Sequence, residues 1–305
     1  MAIQTQPVID EVFPCNLSQV RDELEQRMAQ LLPESGHERD LVALAMREST
    51  LAPGKRLRPL LLILAARDLG YRGADLLDLA CAVEMVHAAS LVLDDMPCMD
   101  NARLRRGRPT IHLHFGEDVA ILAAVALLSR AFSLVASAPA VAPLIRTQLV
   151  AVLANAVGTQ GLVRGQYQDL REGTQARSAQ DIATTNELKT GVLFGATLEM
   201  AAMVTGAEPC VRLSLREFAL ELGHAFQLYD DLQDRCAGGG AASGKDLGKD
   251  EGKSTLLALL GTEETLDRLR GHLRRADAHL SVVFGQDQAI SALMRSIFTR
   301  AGLRA

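Results

Sequence analysis

Long alanine- and leucine-rich segments, separated by helix breakers, are the feature of this chain that most restricts its fold. Such segments cover 60–66, 76–93, 119–136 and 144–158. Alanine and leucine are strong helix formers, and the alternating polarity that would predict strands is sparse. Glycine and proline lie between the segments, where they end helices. The sequence therefore predicts an all-α bundle of roughly ten or more helices.

Apolar residues at helical spacing extend this prediction towards the N-terminus. Two predicted helix faces consist of Leu24, Met28, Leu31 and Leu32, and of Leu41, Leu44, Ala45 and Leu51. The chain has 305 residues, of which 48% are hydrophobic, and this is enough to bury a large core. We expect a single domain over residues 1–305, in which about residues 1–15 form an N-terminal tail.

Two clusters of aspartate each follow a strongly apolar segment. They consist of Asp94, Asp95 and Asp100, and of Asp230, Asp231 and Asp234. Carboxylates this close repel one another when ionised, and a hard cation relieves the repulsion. Magnesium takes one or two carboxylates together with substrate phosphates rather than an all-protein cage. A single cluster would more often be a solvated helix face, but two clusters predict two walls that face one polyphosphate across Mg²⁺.

The two clusters differ in the expected shape of their backbones. The second has uninterrupted helical spacing, so Asp230 and Asp234 share a helix face. The first contains Pro97, which interrupts a helix. The kink at Pro97 is expected to bring Asp100 back towards Asp94.

Two short basic motifs supply candidate phosphate ligands. Residues 54–59 read Gly-Lys-Arg-Leu-Arg-Pro, and residues 104–110 read Leu-Arg-Arg-Gly-Arg-Pro-Thr. Arginine binds phosphate through paired hydrogen bonds, and lysine adds a point charge. Each motif alone would be interpreted as a solvated loop, but the second begins shortly after the first acidic cluster. Because the net charge is −5 and the basic residues are local, the sequence argues against general nucleic-acid binding.

These motifs resemble those of the trans-isoprenyl diphosphate synthases, in the same order along the chain. The matching segments are 54–59, 84–95, 105–110, 189–191, 226–234 and 252–255. The resemblance covers about 51–261, and segment 82–126 is most similar to the geranylgeranyl diphosphate synthases of bacterial carotenoid pathways. It implies one large helical bundle with a central active-site cavity, three Mg²⁺ ions when substrate is bound, and a homodimer.

The implied activity is the head-to-tail condensation of isopentenyl diphosphate with dimethylallyl, geranyl or farnesyl diphosphate. The expected product is the twenty-carbon geranylgeranyl diphosphate, used in carotenoid and other isoprenoid biosynthesis. The fifteen-carbon farnesyl diphosphate is the alternative product.

The resemblance also implies roles for individual residues. Metal binding is implied for Asp94, Asp100 and Asp230, with support from Asp95, Asp231 and Asp234. Binding of the allylic diphosphate is implied for Arg105, Lys189 and Lys253, and binding of isopentenyl diphosphate for Lys55, Arg58, His87 and Arg106. Oxygen dipoles that face the carbocation are implied for Thr190 and Gln227.

The resemblance also indicates which side chains limit the length of the product. Ala89 lies five residues before Asp94, where relatives that stop at fifteen carbons tend to carry an aromatic residue. Ala89 is too small to close a tunnel there, and Met85 is expected to form a deeper stop about one helical turn, or roughly 5.4 Å, away. Twenty carbons are therefore expected.

Two other functions use part of the same chemistry. A terpene cyclase also has an acidic magnesium cluster on an α-bundle, but cyclases steer cations with aromatic faces. This chain is 4% aromatic and has no Trp. A non-catalytic subunit of a prenyl synthase would tolerate decayed acidic clusters, whereas both clusters are intact here.

The remaining segments bear on location and motion. The N-terminus lacks the basic start and apolar core of a signal peptide. The longest apolar run, 119–128, is too short to cross a bilayer, and the five cysteines show no paired spacing. We expect a cytoplasmic protein with no transmembrane segment. The glycine-rich segment 236–252 also carries lysines, and we expect it to form a lid over bound diphosphate.

Overall fold

The computed structural model describes residues 17–34, 36–37, 39–236, 255–285 and 289–298, without the side chains of 234–236. In these residues one short hairpin accompanies fourteen α-helices and a π-helical segment, so the all-α prediction is confirmed. The α-helices are α1 Leu17–Leu31, α2 Leu41–Leu51, α3 Leu57–Asp68, α4 Leu76–Asp94, α5 Ile111–Phe115, α6 Glu117–Ala136, α7 Pro143–Val157, α8 Leu162–Glu172, α9 Ala179–Asn186, α10 Val192–Val204, α11 Pro209–Cys236, α12 Leu256–Leu260, α13 Thr262–Phe284 and α14 Ala289–Phe298. The strands are β1 Leu104–Arg105 and β2 Arg108–Pro109, and the π-helical segment is Glu187–Gly191.

The four apolar segments of the sequence become α3, α4, α6 and α7. The predicted breakers fall between helices: α6 ends at Ala136, and α7 begins with Pro143. Proline lacks an amide hydrogen, which costs nothing in the first turn of a helix because the N–H would have no partner within the helix.

Helices α3 and α4 form the centre of the bundle. Residues 57–66 of α3 are all buried, and a helix that is apolar all round belongs in the interior. Helix α4 packs along α6 and also contacts α3. Helix α10 packs against α3 and α11, and α11 packs along α13. This packing brings the end of α4, the start of α3 and the second half of α11 to the site described below.

The predicted buried face is correct for α1 and largely wrong for α2. All four predicted residues are buried, with Leu32 directly after the last residue of α1. In α2, the buried residues are Ala43, Ala45, Met46 and Thr50. The predicted set contains only Ala45 of these, and Leu41 is exposed. Helix α2 packs against α6 and α4, and three of its four buried side chains are small.

Two helices, α4 and α6, are long and apolar enough to cross a membrane by length and composition alone. The apolar run 119–128, expected to be too short for this, belongs to the 20-residue helix α6. The two helices pack against each other within the bundle. Inside the bundle, 67% of the apolar window of α4 is buried but only 44% of that of α6, which leaves α6 with an exposed apolar side.

Some predictions fall outside the described residues. They concern the tail at 1–15, Lys253, and segment 236–252 beyond Cys236, which ends α11. Asp234 lies within α11, but its side chain also falls outside the description.

Candidate active site

The first acidic cluster forms a tight turn at the C-terminal end of α4. Asp94 is the last residue of the helix, and Pro97 stands in the turn that follows. The backbone N–H of Asp100 donates to the carbonyl oxygen of Asp94 at 2.9 Å. The predicted return of Asp100 towards Asp94 is thus confirmed, and the two carboxylates repel each other across the turn.

Asp95 holds Arg105 rather than facing outwards. Its carboxylate is buried, and Arg105 donates to it through Nη2 and through Nε, which lies 3.1 Å from Oδ1. Burial raises the pKa of Asp95, although Arg105 opposes the rise. Burial also works against the charge of Arg105, but its hydrogen bond to Asp95 and the neighbouring aspartates outweigh it and raise the pKa of the guanidinium. Asp94 and Asp100 are left as candidate metal ligands in this cluster.

A β-hairpin directs the two consecutive arginines of the second basic motif, Arg105 and Arg106, to different places. Arg105 pairs with Arg108 across the strands, and the turn is made by Arg106 and Gly107. Both turn residues have positive φ, 55° and 78°, as a tight two-residue hairpin turn requires. Arg106 therefore leaves the hairpin in a different direction from Arg105 and reaches the first basic motif.

Arg106 joins the two basic motifs. Its Nη1 donates to the carbonyl oxygen of Ala52 at 3.2 Å, and its guanidinium lies against Gly54. A Cβ at Gly54 would lie 2.9 Å from Cζ of Arg106, so a larger residue would displace the guanidinium. Arg56 Nη2 donates to the same Ala52 oxygen at 2.9 Å. Arginines of both motifs thus meet at one carbonyl group.

Aromatic rings hold the other cations of the first motif. The ammonium group of Lys55 lies 5.1 Å from the ring centre of Phe226 and 5.2 Å from that of Tyr229. Cζ of Arg58 lies 4.3 Å from the ring centre of Phe194. These cation–π contacts orient both side chains towards α10 and α11 without neutralising them.

The protonation states beside this motif follow from burial and from the arginines. Burial lowers the pKa of Arg58 to about 10, an effect that Glu84 and Asp230 oppose, so Arg58 is cationic at neutral pH. Burial, followed by the charges of Arg58 and Arg106, holds the pKa of His87 well below its ordinary value of 6.5. His87 is therefore neutral at pH 7 and can donate a hydrogen bond to phosphate.

Lys189 lies in the π-helical segment, a rare conformation that is frequent at functional sites. Its Nζ donates to the carboxylate of Asp169 on α8 at 2.7 Å. Burial disfavours the charge on Lys189, but Asp169 and the first acidic cluster outweigh it and raise its pKa. A Cβ at Gly165 would lie 2.4 Å from the backbone nitrogen of Lys189, so glycine allows α8 to come this close.

A short hydrogen-bonded chain connects the π-helical segment to α11. The hydroxyl of Thr190 donates to Oε1 of Gln227 at 3.2 Å, and Nε2 of Gln227 donates to Asp231 at 2.9 Å. The two elements come together at glycines, because a Cβ at Gly223 would lie 2.9 Å from Cα of Gly191. These two hydrogen bonds fix the amide of Gln227. They leave the lone pairs of the Thr190 hydroxyl oxygen for a cationic substrate.

The two acidic clusters border one site, because the same elements contact both. Lys189 interacts with Asp94, and its neighbour Thr190 contacts α11. Arg58, at the start of α3, interacts with Asp230 on α11. The site is therefore enclosed by α3, the end of α4, the π-helical segment and α11.

The donor set fits Mg²⁺. Burial and the neighbouring carboxylates raise the pKa of Asp94 to about 6, against the opposing charges of Lys189 and Arg105. A divalent cation would remove this cost of ionising Asp94. In the described ranges no three metal-ligating side chains converge into a ready-made cage. Mg²⁺ needs none, since it completes its shell with phosphate and water, so Asp94, Asp100 and Asp230 could hold it.

Comparison with known proteins agrees with this geometry. A family model described as Polyprenyl synthetase matches residues 39–286. The chain belongs to the polyprenyl synthetase family. The resemblance carried by the sequence motifs is therefore confirmed. Of the motifs compared above, 252–255 is described only at Thr255.

Individual relatives in the polyprenyl synthetase family are similar over nearly the whole chain. A geranylgeranyl diphosphate synthase of Pantoea ananas is 54% identical, with 92% of each chain covered. One of Pseudescherichia vulneris is 51% identical, with 92% of this chain and 90% of that protein covered. A crystal structure of a Helicobacter pylori geranyltransferase complexed with magnesium and isoprenyl diphosphate has a TM-score of 0.81 at 28% identity. The match covers 95% of this chain and 99% of the Helicobacter pylori chain.

The structure brings most residues proposed for the polyprenyl synthetase site together, and it adds others. Ala89 and Met85 lie deeper in α4 and are fully buried. Asp169, which holds Lys189, and Glu84, which pairs with Arg56, were not predicted. The sequence shows Asp169 only as one acid in a polar helix, and Glu84 only as one acid in an apolar helix. An acidic residue in an apolar segment was the one signal that could have drawn attention to Glu84.

Proposed function

We propose that this chain condenses isopentenyl diphosphate with allylic diphosphates head to tail and makes geranylgeranyl diphosphate. The observation that carries the proposal is that two cationic sets flank the acidic clusters. Lys189 and Arg105 act on Asp94, whereas Arg58 at the start of α3 and Arg106 in the turn of the hairpin form a second set. Two substrates that each carry a diphosphate require two such sets. The named activity of the Pantoea and Pseudescherichia relatives supports the same conclusion.

The first step breaks the C1–O bond of the allylic diphosphate, and the diphosphate leaves with the bonding electrons. Lys189 and Arg105 bind its oxygen atoms, and donors fixed in advance stabilise developing charge most effectively. Mg²⁺ held by Asp94, Asp100 and Asp230 supplies, when bound, Lewis-acid stabilisation of the departing diphosphate. We assign Lys253 to the same diphosphate.

The allylic fragment left behind is a carbocation. The Thr190 hydroxyl hydrogen is engaged by Gln227, so the oxygen lone pairs of Thr190 stabilise this cation electrostatically. Asp231 keeps the Gln227 amide in the required orientation. The protein thus stabilises the carbocation through the dipole of the Thr190 hydroxyl, which forms no covalent bond with it.

The second substrate is held by the basic set at the start of α3. Lys55, Arg58 and Arg106 bind the diphosphate of isopentenyl diphosphate, and neutral His87 donates a further hydrogen bond. The double bond of this substrate donates its electron pair to C1 of the carbocation and forms the new carbon–carbon bond. This attack leaves a positive charge on the other carbon of the former double bond. The released diphosphate takes a proton from the carbon next to that charge, and the electron pair of the broken C–H bond forms the new double bond.

The product length follows from the deeper part of α4. The growing chain runs from the acidic clusters along this helix, past Ala89, and stops at Met85. Both residues face the interior of the bundle. An alanine at the first position leaves room for a fourth isoprene unit, which favours twenty carbons over fifteen.

The assembly is proposed to be a homodimer formed by the exposed side of α6. Ile121, Leu122 and Val125 are 47%, 54% and 59% exposed, and Leu144 on α7 is 69% exposed. An apolar surface of this kind marks an interaction site, and a second copy of the chain covers it. We further propose that the dimer is cytoplasmic, that three Mg²⁺ ions take part in the reactive complex, and that residues 1–305 form one domain.

The proposed function is tested with the purified protein alone. It is incubated with labelled isopentenyl diphosphate, farnesyl diphosphate and Mg²⁺, and consumption of the label is followed. We expect consumption that stops in excess chelator and resumes when Mg²⁺ is restored. A protein that consumes no isopentenyl diphosphate, or consumes it equally in chelator, would contradict the proposal.

A further inference from the structure

A buried ion pair stands beside the proposed isopentenyl diphosphate site. Nη1 of Arg56 donates to Oε1 of Glu84 at 2.8 Å, and the two side chains are 1% and 3% exposed. Glu84 lies on α4, three residues before His87. Glu25 of α1 also approaches Arg56, at 3.5 Å, but its side chain is 46% exposed. Because desolvation offsets much of the attraction in a buried pair, such a pair is weak evidence of a stabilising role.

The backbone of Arg56 suggests what the pair fixes. Arg56 has φ 50° and ψ 31°, the left-handed conformation, at the residue that precedes α3. Residues other than glycine remain in this conformation where their surroundings hold them there. Lys55 and Arg58 extend from the same short segment. The contact with Glu84 therefore holds the backbone that presents both cations.

The negative charge of Glu84 also acts on two further arginines. Burial lowers the pKa values of Arg58 and Arg106, and in both cases Glu84 is the foremost charge that opposes the effect. Arg56 and Arg106 converge on the carbonyl oxygen of Ala52, at 2.9 Å and 3.2 Å. Guanidinium groups this close repel one another unless an anion stands among them.

We propose that Glu84 is a positioning residue for isopentenyl diphosphate, a role that rests on the proposed function. Through Arg56 it fixes the segment that carries Lys55 and Arg58, and its charge keeps Arg58 and Arg106 together before a diphosphate arrives. Glu84 does not contact the substrate. The incoming diphosphate finds a cationic site already assembled, which lowers the cost of binding.

The first test is E84Q, which removes the charge and keeps the size of the side chain. The KM for isopentenyl diphosphate is expected to rise about ten-fold, the scale of losing one charge-assisted contact. The KM for farnesyl diphosphate is expected to change by less than about two-fold, because its cations are held by Asp95 and Asp169.

The matched control is D78N. Asp78 lies on the same helix and also pairs with an arginine, Arg27 of α1, at 2.6 Å. It undergoes the same chemical change without touching either basic motif, so neither KM is expected to move. If E84Q leaves the KM for isopentenyl diphosphate at the wild-type value, or raises both KM values equally, Glu84 is not a positioning residue for this substrate.

A double variant separates positioning from folding. E84Q leaves Arg56 buried without its partner, which destabilises a fold, whereas R56M/E84M replaces both charges with apolar side chains that a core tolerates. We expect the double variant to fold and to retain the raised KM for isopentenyl diphosphate. If its KM returns to the wild-type value, the pair serves only to avoid an unpaired charge, and the inference is wrong.

Direct binding distinguishes this inference from the proposed function. Titration calorimetry gives the dissociation constant of isopentenyl diphosphate for the wild type, E84Q and D78N without any turnover. We expect the same ten-fold or so weakening in E84Q alone, with the wild-type value kept by D78N. A wild type that binds the substrate but does not condense it would contradict the proposed function, while equal binding by all three proteins would contradict the role of Glu84.

Discussion

Asp94 and Asp230 belong to different helices, and the proposed reaction requires both. Asp94 ends α4 and Asp230 lies near the end of α11, so neither side chain supports the centre of the core. Replacement of either by alanine is expected to lower turnover by roughly a hundred-fold or more, since an electrostatic catalytic contact is lost. Initial rates and circular dichroism are compared with Asp267→Ala, an exposed carboxylate on α13. Normal turnover in either variant, with the fold intact, would contradict the metal assignment.

The raised pKa of Asp94 has a consequence for metal binding. The value of about 6 means that Asp94 binds a proton as the pH falls through 6, whereas a carboxyl with the ordinary value of 3.8 would stay ionised. A proton and a cation compete for the same oxygens, so affinity is expected to fall by up to about ten-fold per pH unit below 6. Binding of Mn²⁺ to the substrate-free protein, followed by electron paramagnetic resonance, checks this. Asp94→Asn should flatten the profile, and a flat wild-type profile between about pH 7 and pH 5 would contradict it.

Ala89 tests the assignment of product length at the scale of one side chain. Ala89→Phe is expected to preserve substrate binding and shift the main product from twenty to fifteen carbons, because an aromatic ring closes the space beyond the third isoprene unit. Chromatography of dephosphorylated products gives the chain lengths. If Ala89→Phe still makes mainly twenty-carbon product at the wild-type rate, Ala89 does not line the tunnel.

At the scale of elements, the contact between Gly191 and Gly223 sets the distance between the π-helical segment and α11. A Cβ at Gly223 would lie 2.9 Å from the backbone of Gly191, too close without a shift of one element. Gly223→Ala is therefore expected to lengthen the Thr190–Gln227 contact and to lower both kcat and thermal stability. Gly195→Ala on α10 is the control, since a Cβ there meets nothing within 4 Å.

The control substitution, Gly195→Ala, is expected to change thermal stability in the opposite direction. Alanine in place of a helical glycine with open space stabilises by about 0.4–1 kcal/mol, because the unfolded chain loses conformational freedom. Gly195→Ala should therefore melt at the same or a higher temperature with an unchanged kcat. If Gly223→Ala behaves in the same way, the close approach of the two elements is not needed for the reaction.

Most elements could be predicted from the sequence because their signals are local. Alanine- and leucine-rich runs between breakers give α3, α4, α6 and α7, and Pro97 gives the turn that returns Asp100 to Asp94. The hairpin at β1 and β2 was not predicted, since two-residue strands leave no alternating pattern. The π-helical segment was not predicted either, because nothing in its five residues distinguishes it from the adjoining α-helices.

The candidate site could be predicted where a motif carries its chemistry, and not where a residue acts through a distant partner. Asp169 is 20 residues from Lys189, and Glu84 is 28 residues from Arg56. Such pairs form only when helices pack, so neither spacing nor composition indicates them. The role of Asp95 could not be predicted for the same reason. The sequence groups Asp95 with Asp94 and Asp100, but in the fold its carboxylate binds Arg105.

At the scale of the whole molecule, the exposed side of α6 is expected to hold two copies together. Leu122→Asp is expected to convert the dimer to a monomer, because a charge at a packed apolar interface is left without solvation. Val282→Asp is the control, as Val282 is 77% exposed but lies on α13. Sedimentation equilibrium gives the mass of each protein. A wild-type monomer, or a Leu122→Asp dimer as stable as the wild type, would contradict the proposed interface.

The identity of the product decides whether this chain makes geranylgeranyl diphosphate. The wild-type protein is incubated with labelled isopentenyl diphosphate, farnesyl diphosphate and Mg²⁺, and the dephosphorylated products are separated by reversed-phase chromatography. We expect one main labelled alcohol of twenty carbons, geranylgeraniol, which is absent in excess chelator. A cyclic hydrocarbon, or no product longer than the fifteen-carbon primer, would contradict it.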